Sequence, residues 1–466
     1  MEGIRDDGEG RRWAVLRDAV PPRAVPDGDR GVRAGESRLA YDGLAAFVGP
    51  KLITEVPGPE ALAWIERDRK VTSPSLPRAY PFVPKRGAGS IVEDVDGNIF
   101  LDLNAGIAVT STGHCHPRVV DAIDRQAAEL LHYSASDFYL PVYAEVCERL
   151  DQVAPFGDRP ARSFLTNSGT EAVEAAIKLA RFATGRQYLI GMYKSFHGRS
   201  MGSVTLTASK AKYRTNFGPM LPSVYHTFYG DFDYLDEVVF KRLVSPTEVA
   251  AIVVESWLGE GGYVLPPDGW FTYLRELCDL HGILLVCDEV QSGMGRSGKM
   301  WAIEHEGVEP DVLISGKGIA SGLPLGAMIA REDLMVWDLG SHGSTYGGSP
   351  LSCAAALATF DVIRDEDLLG NAERVGSVLL DGLREMKTRH PLIREVRGKA
   401  MWIGLGFADH QVAEAIEHVA FRRGMLMLSC GDDAVRISPP LVFREDQARE
   451  ALRIFEEVVA EVEAGT

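Results

Sequence analysis

Short apolar runs alternate with longer amphipathic stretches through the middle of the chain. Five runs have the length of buried strands, at 188–192, 249–255, 283–290, 312–315 and 325–330. Three stretches have apolar residues at helical spacing, at 170–184, 270–281 and 349–364. Strands that are apolar throughout and separated by helices are typical of a mostly parallel sheet covered on both faces. The pattern therefore predicts an α/β fold, with its ligand outside the carboxyl ends of the strands.

The two ends of the chain differ from this central part in residue composition and in the pattern of apolar positions. Residues 1–45 are rich in Gly, Pro, Arg and Asp, and we predict a flexible N-terminal extension. Residues 116–366 should form the large domain. Residues 46–115 and 367–466 should supply the N-terminal and C-terminal segments of a smaller α+β domain, because strand and helix patterns also occur there.

Charge and cysteine usage narrow the class of protein. The formal net charge of -17 argues against a nucleic-acid or membrane-surface partner, since both need a basic patch. It does not exclude an anionic cofactor, which a few backbone amides and one lysine can hold. The six cysteines are dispersed without a C-x-x-C pair, so we expect no metal site and no disulfide framework. With no apolar run of membrane-span length and no apolar signal core, we expect a cytoplasmic protein.

A small polar turn precedes the alanine-rich stretch at 170–184. Ser168, Gly169 and Thr170 begin this predicted helix, where the first backbone amides are free and the helix dipole is positive. Such a turn can hold a phosphate group. Ordinary N-capping explains the same residues, and for this turn alone it is the better interpretation.

An acidic pair ends the apolar run at 283–290. Asp288 would lie at the ligand edge of the sheet, where a carboxylate can keep a heterocyclic nitrogen protonated. Gln291, three residues later, can donate a hydrogen bond to a phenolic oxygen. A helix cap or an ion pair is an equally good interpretation of Asp288 by itself.

Lys317 lies between two glycines just after the run at 312–315. A lysine that forms a Schiff base needs partial burial and close approach of the backbone, which flanking glycines allow. A surface lysine in a turn is the simpler interpretation of a lone G-K-G. Together, however, a phosphate-binding turn, an acidic residue and a buried lysine in this order are the parts that pyridoxal 5'-phosphate (PLP) requires.

From about Pro74 to its end, the sequence resembles a class III aminotransferase, a PLP enzyme of fold type I. The resemblance rests on a long signature and on three further strings. These are D-E-V-Q-S-G-M-G-R-S-G from Asp288, S-G-K-G around Lys317, P-L-G-A from Pro324, G-H-C-H-P from Gly113, S-F-H-G-R from Ser195 and G-S-T-Y-G-G from Gly343.

The resemblance implies a large domain with a mostly parallel seven-stranded sheet that binds PLP. It implies Lys317 as the Schiff-base lysine and Asp288 as the partner of the pyridine nitrogen. It places Gln291 near the phenolic oxygen and Phe196 against the ring. It implies phosphate contacts from Ser168, Gly169 and Thr170, and it implies a homodimer in which Thr345 reaches the neighbouring subunit's cofactor.

The substrate side is also implied by the resemblance, which is strongest to 4-aminobutyrate and related broad ω-aminotransferases. Arg199 corresponds to a carboxylate contact, and Glu260 with Arg436 to the pair that switches between dicarboxylate and amine substrates. A fixed salt bridge is an equal interpretation of that pair. Ile107 stands where ornithine aminotransferases have tyrosine. Trp257 departs from the family pattern; it indicates a bulkier substrate, such as an aminosugar, or only core packing.

We therefore expect a ping-pong transaminase that moves an amino group between a primary amine or ω-amino substrate and 2-oxoglutarate/L-glutamate. In this mechanism Lys317 acts as general base and acid. Two alternatives remain open from the sequence. One is a PLP-dependent amino-acid racemase or epimerase on the same scaffold. The other is a cofactor-binding protein without catalysis, against which the intact Lys317, Asp288 and Gln291 argue.

Overall fold

Residues 41–465 are described by a computed structural model. Residues 41–45 are helical. The elements that follow are helix α1 (Pro59–Val71) and the antiparallel strands β1 (Pro84–Ala88), β2 (Ile91–Asp94) and β3 (Ile99–Asp102). The turn between β2 and β3 is held by Asp94, whose Oδ1 accepts the backbone N–H groups of Asp96 and Asn98 at 2.9 and 2.8 Å. Of the predicted extension 1–45, residues 1–40 lie outside the described part.

A seven-stranded sheet forms the centre of the fold, as the resemblance implied. Its strands are β4 (Ala161–Thr166), β5 (Tyr188–Met192), β6 (Val224–Thr227), β7 (Val249–Glu255), β8 (Leu284–Asp288), β9 (Val312–Ser315) and β10 (Gly326–Arg331). Their spatial order is β4-β10-β9-β8-β7-β5-β6. The five strands from β9 to β6 are parallel, and β10 runs antiparallel to β9 and β4. The α/β prediction is confirmed.

The helix that starts at Gly169 packs against this sheet through an apolar face. Ala172, Val173 and Ala176 of the helix that starts at Gly169 pack in one cluster with Val253 and Val286 of the central strands. Small alanine side chains let this helix approach the sheet closely. The helices of this part are α2 (Pro117–Glu129), α3 (Pro141–Val153), α4 (Gly169–Thr184), α5 (Met201–Leu206), the π-helical Tyr234–Leu243, α6 (Trp270–His281) and α7 (Pro350–Asp365).

The chain after α7 forms a second α+β layer. Its elements are α8 (Leu368–Arg389), β11 (Glu395–Lys399), β12 (Trp402–Gly406), α9 (His410–Arg422), β13 (Met425–Leu426), β14 (Leu428–Cys430), β15 (Ala434–Ile437) and α10 (Glu445–Gly465). Four of these strands form a sheet ordered β11-β12-β15-β14. β13 instead pairs in parallel with β3. The N-terminal and C-terminal segments therefore share a sheet, as predicted for the smaller α+β part, while the domain boundaries themselves stay predictions.

This topology places several ionisable side chains at one edge of the central sheet. The neighbouring parallel strands β7 and β8 end at Glu255 and Asp288, and β9 ends two residues before Lys317. Among residues 41–465, no helix is long and apolar enough to cross a bilayer. The same part of the chain contains no group of three or more His, Cys, Asp or Glu side chains placed to hold a metal ion.

Candidate active site

A cavity of about 1380 Å³ opens at the carboxyl ends of the central strands. This is the edge at which ligands bind in open parallel sheets. Most of the predicted site residues lie in its wall: Ile107, Ser168, Gly169, Thr170, Phe196, Arg199, Glu260, Asp288, Gln291, Lys317 and Arg436. These residues come from segments far apart in the sequence, so the fold assembles one site from the separate motifs.

Lys317 begins a short 3-10 turn after β9 and has a left-handed φ of 45°. A Cβ on the next residue, Gly318, would lie 2.4 Å from Ser111 Oγ, so glycine allows this close approach without moving the serine. Burial and the positive charge of Arg436 lower the pKa of Lys317 to about 8. The amine is therefore far closer to its neutral, nucleophilic form at physiological pH than an exposed lysine is.

Asp288 is buried and has a fixed partner. Its Oδ2 accepts a hydrogen bond from Nδ1 of the fully buried His197 at 2.7 Å, and its Oδ1 accepts Val290 N–H at 3.0 Å. Burial disfavours a charged imidazole, but the hydrogen bond and charge of Asp288 raise the pKa of His197. The His197 ring stabilises the Asp288 carboxylate through this hydrogen bond, while Asp288 itself lines the cavity.

The N-terminus of α4 faces the same cavity. Ser168 is its N-cap, and Ser168 Oγ accepts Glu171 N–H at 3.4 Å. The hydroxyl of Thr170 lies 2.7 Å from Ser200 Oγ and 2.5 Å from Ser203 Oγ. The capping and phosphate-binding interpretations of Ser168 are compatible. The first backbone N–H groups of a helix have no carbonyl partner within the helix, so several of them remain available to a phosphate.

Gln291 supplies a direct test of whether PLP fits. Its Oε1 is buried without a hydrogen-bond partner among the described residues, although the side chain lines the cavity. A buried polar atom normally has a partner, so a polar ligand is expected beside Gln291. Asp288 offers an anion for a ring nitrogen, α4 offers amides for a phosphate, and Lys317 offers an amine for an aldehyde. This donor set fits PLP.

Phe196 and Arg199 lie on the loop after β5. The backbone N–H of Phe196 donates to Glu255 Oε1 at 2.8 Å, which fixes the loop against the sheet. The Arg199 guanidinium lies 5.9 Å from the centre of the Phe196 ring and 4.7 Å from that of Tyr213. Aromatic faces at these distances attract the cation and hold it at the cavity wall, where it can meet a substrate carboxylate.

Arg436 and Glu260 form an ion pair, with Arg436 Nη1 3.3 Å from Glu260 Oε2. Arg436 belongs to β15 and is buried, and its Nε has no partner among the described residues. The pair joins the central part of the fold to β15 and lies in the cavity wall. This placement is compatible both with a substrate contact and with a fixed salt bridge.

Ile107 lines the cavity from a left-handed turn. Four consecutive residues, Ala105 to Ala108, have φ values of 50°, 59°, 69° and 57°. A β-branched residue in this region is a conformational outlier, so the surrounding structure has to hold Ile107 there. Its side chain remains partly exposed to the cavity side, as the substrate-binding prediction requires.

Trp257 does not lie where a substrate contact was expected. It is 2% exposed and packs in a core cluster with Tyr263 and Trp402. Its ring stacks on His305 at 5.3 Å, and it is absent from the described wall of the cavity. The prediction of Trp257 as a substrate-binding residue is therefore corrected to core packing. Thr345 is also outside the described cavity wall; it is exposed on the surface.

Three residues of the site were not singled out from the sequence. His197 lies inside the S-F-H-G-R string, but only the structure reveals its contact with Asp288. Glu255 ends β7, and burial, with a smaller effect of the Asp288 charge, raises its pKa to about 7. Lys210 lies 3.5 Å from Glu260. A charged residue at the end of an apolar strand could have indicated Glu255, whereas nothing local distinguishes Lys210.

Residues 74–459 match the family described as aminotransferase class-III. An alanine/serine racemase from Pyrococcus horikoshii is 35% identical over an alignment of 446 residues, which covers 89% of this chain and 94% of that protein. An acetylornithine aminotransferase from Corynebacterium efficiens is 41% identical over 81% of this chain and 92% of its own length. The crystal structure of an ornithine aminotransferase from Toxoplasma gondii superimposes with a TM-score of 0.81 at 30% identity, covering 94% of this chain and all of that one.

Proposed function

The chain belongs to the class III aminotransferases, and from this premise we propose that it moves an amino group from a primary amine or ω-amino substrate to 2-oxoglutarate, and back from L-glutamate. The family is PLP-dependent, so the cofactor is PLP. The exchange is a ping-pong reaction, because one site has to receive first the amino donor and then the oxo acid.

One observation carries the proposal. The amine of Lys317, the carboxylate of Asp288 and the N-terminus of α4 line a single cavity, although they come from three separate segments. The aldehyde, the ring nitrogen and the phosphate of PLP each find a matching group there. A surface lysine or a plain helix cap would not explain this convergence.

Bound PLP supplies an aldehyde that takes up the amino group and a ring that withdraws electrons from the substrate carbon. Lys317 Nζ would hold the aldehyde, and its amine could then move the proton at the substrate carbon. Asp288, hydrogen-bonded to His197, would keep the ring nitrogen protonated. Ser168, Gly169 and Thr170 would hold the phosphate, and Phe196 would lie against the ring.

The cavity also contains groups suited to the substrates. Arg199 is a cation that lies against two aromatic rings, and it can bind the distal carboxylate of glutamate or of an ω-amino acid. Arg436 is occupied by Glu260 when no second carboxylate is present. The pair can therefore admit an amine end without a carboxylate, and a dicarboxylate after rearrangement. The hypothesis of an aminosugar substrate rested mainly on Trp257, and Trp257 is buried in the protein core.

A second candidate is racemisation of a small amino acid, which the similarity to the alanine/serine racemase favours. The scaffold and cofactor chemistry are shared, and the difference lies in whether the proton returns to the substrate carbon or goes to the cofactor. Transamination is preferred because Arg199 and Arg436 give the cavity two cations for the two carboxylates of glutamate.

A homodimer is part of the proposal. Thr345 lies beside the exposed side chain of Tyr346, and further exposed apolar side chains, Leu131, Phe138, Tyr139 and Leu339, occur in the segments around it. Exposed apolar side chains in this number are typical of an interface. A cytoplasmic location is also proposed, supported by six free cysteines.

The experiment is a panel of amines and amino acids incubated with the PLP-loaded enzyme. With 2-oxoglutarate present, formation of L-glutamate from at least one amine is the expected result. With L-alanine or L-serine alone, a transaminase converts its bound aldehyde to the amine form once per site, and the visible absorption is lost. Continuous formation of the D-isomer without that spectral loss would contradict transamination and support the racemase.

A further inference from the structure

Lys210, Glu260 and Arg436 form a row of alternating charges in the cavity wall. Lys210 Nζ lies 3.5 Å from Glu260 Oε1, and Arg436 Nη1 lies 3.3 Å from Glu260 Oε2. The two cations therefore contact different oxygens of one carboxylate. All three side chains line the cavity.

The three side chains differ in exposure. That of Arg436 is 6% exposed, that of Glu260 19% and that of Lys210 29%. Arg436 belongs to a strand in the interior of its sheet, so its position is fixed by backbone hydrogen bonds on both sides. Lys210 lies on the loop after α5 and has a flexible stem, so it is the cation that can follow a moving carboxylate.

A substrate carboxylate that binds Arg436 has to compete with Glu260 for the guanidinium. A second carboxylate, the buried Glu417, also stabilises the charge of Arg436, so this arginine remains a cation throughout. Glu260, once displaced, would be a partly buried carboxylate that has lost its arginine. An uncompensated charge in such a place is costly, and Lys210 is the one remaining cation that the described structure pairs with Glu260.

We propose that Lys210 is a specificity-determining residue that keeps Glu260 paired while Arg436 binds a substrate carboxylate. Its presence lowers the cost of opening the Glu260–Arg436 pair and so favours carboxylate-bearing substrates over plain amines. The proposal rests on the proposed function, since it concerns the half-reaction that uses the oxo acid.

Replacement of Lys210 by methionine tests this, because Lys210→Met keeps the length of the stem and removes the charge. We expect the Kd of glutarate, titrated into the PLP-loaded enzyme by calorimetry, to rise about tenfold. The Michaelis constant for the oxo acid 2-oxoglutarate should rise to a similar extent. The half-reaction with an amine that lacks a carboxylate should keep its rate, because that substrate leaves the pair closed.

Lys194→Met is a matched control. Lys194 is 60% exposed and pairs with Asp432 at 3.0 Å on the surface, so its loss removes one lysine charge without touching the row. Glutarate affinity in this variant should equal that of the wild type. Lys210→Gln, which is also neutral but polar, should reproduce the loss, and equal thermal unfolding of all variants excludes misfolding as its cause.

A double-mutant comparison shows whether Lys210 affects glutarate binding through Glu260 or by direct contact with the ligand. If Lys210 acts through Glu260, Lys210→Met should have no further effect on glutarate affinity in the Glu260→Gln background. A loss that persists there means that Lys210 contacts the substrate directly, and it overturns the proposal, as does unchanged affinity in Lys210→Met alone. A wild-type enzyme that binds glutarate but forms no glutamate refutes the proposed function only, whereas failure to bind glutarate refutes both.

Discussion

His197 donates a hydrogen bond to Asp288 from inside the protein, with Nδ1 2.7 Å from Oδ2. Both side chains are buried, and the raised pKa of His197 favours its charged form. Asp288 is thus held in place by the His197 hydrogen bond on one side and faces the cavity on the other. An anion prepared in this way needs no reorganisation when it meets a protonated ring nitrogen, which is the condition for efficient electrostatic stabilisation.

Asp288→Asn should lower the rate of the amine half-reaction by about 100-fold to 1000-fold, the size typical of losing one preorganised electrostatic group. Cofactor retention should suffer less, because Lys317 and the α4 N-terminus remain. Single-turnover absorbance measurements give the rate. Asp365→Asn is the control, since Asp365 is a surface residue paired with Arg118. An Asp288→Asn enzyme of wild-type rate would refute the role of this carboxylate.

Loading of the cofactor-free protein with PLP should depend on pH through Lys317. Because burial and the charge of Arg436 lower its pKa to about 8, the neutral amine predominates above that pH and is lost as the pH falls below it. The second-order rate constant for loading should therefore rise with pH and level off above about 8. Arg436→Met removes this charge and should move the midpoint upward. A wild-type midpoint near 10.4, the ordinary lysine value, would contradict the assignment.

Much of the fold could be predicted from the sequence because the central strands are apolar throughout. β5, β7 and β9 begin and end at the predicted residues, as does α6. β4 and β6 were not predicted, because these edge strands contain polar residues and are only half-buried. Their identity as strands depends on the neighbouring strand, which a local pattern does not contain.

Some residues of the candidate site could likewise be predicted from the sequence, and others could not. Lys317, Asp288 and Ser168 follow or precede predicted elements, so their arrival at one edge could be expected. Trp257 also follows a predicted strand, yet its side chain turns into a core formed with Tyr263 and with Trp402, which is distant in the sequence. The direction of a side chain after a strand end depends on such tertiary packing, and this is why the sequence could not distinguish core packing of Trp257 from a substrate contact.

Trp257→Ala should destabilise the protein without changing substrate preference. Removal of a buried tryptophan costs about 3–5 kcal/mol of the free energy of unfolding. Because Trp257 lies outside the described cavity wall, the ratio of kcat/KM values for a large and a small amine should stay at the wild-type level. Denaturant unfolding and steady-state kinetics measure the two effects. A changed ratio in folded protein would restore Trp257 to the substrate site.

Gly259→Ala should act on the cofactor through Gln291. A Cβ at Gly259 would lie 2.4 Å from Gln291 Oε1, and this end of a flexible side chain can move while the backbone stays. Loss of one hydrogen bond to the cofactor should lower kcat by about tenfold, with a shift in the visible absorption of the bound cofactor. In the Gln291→Ala background the same change should have no further effect. An additional loss there would mean that Gly259 acts by another route.

Borohydride reduction of the PLP-loaded enzyme, followed by mapping of the labelled peptide, is the most direct measurement of which amine captures the aldehyde. The structure predicts one label per chain, on Lys317, and none in a Lys317→Ala variant that still folds. A label on Lys210 or on any other lysine, or a wild-type protein that takes up no label, would contradict the site described for this chain.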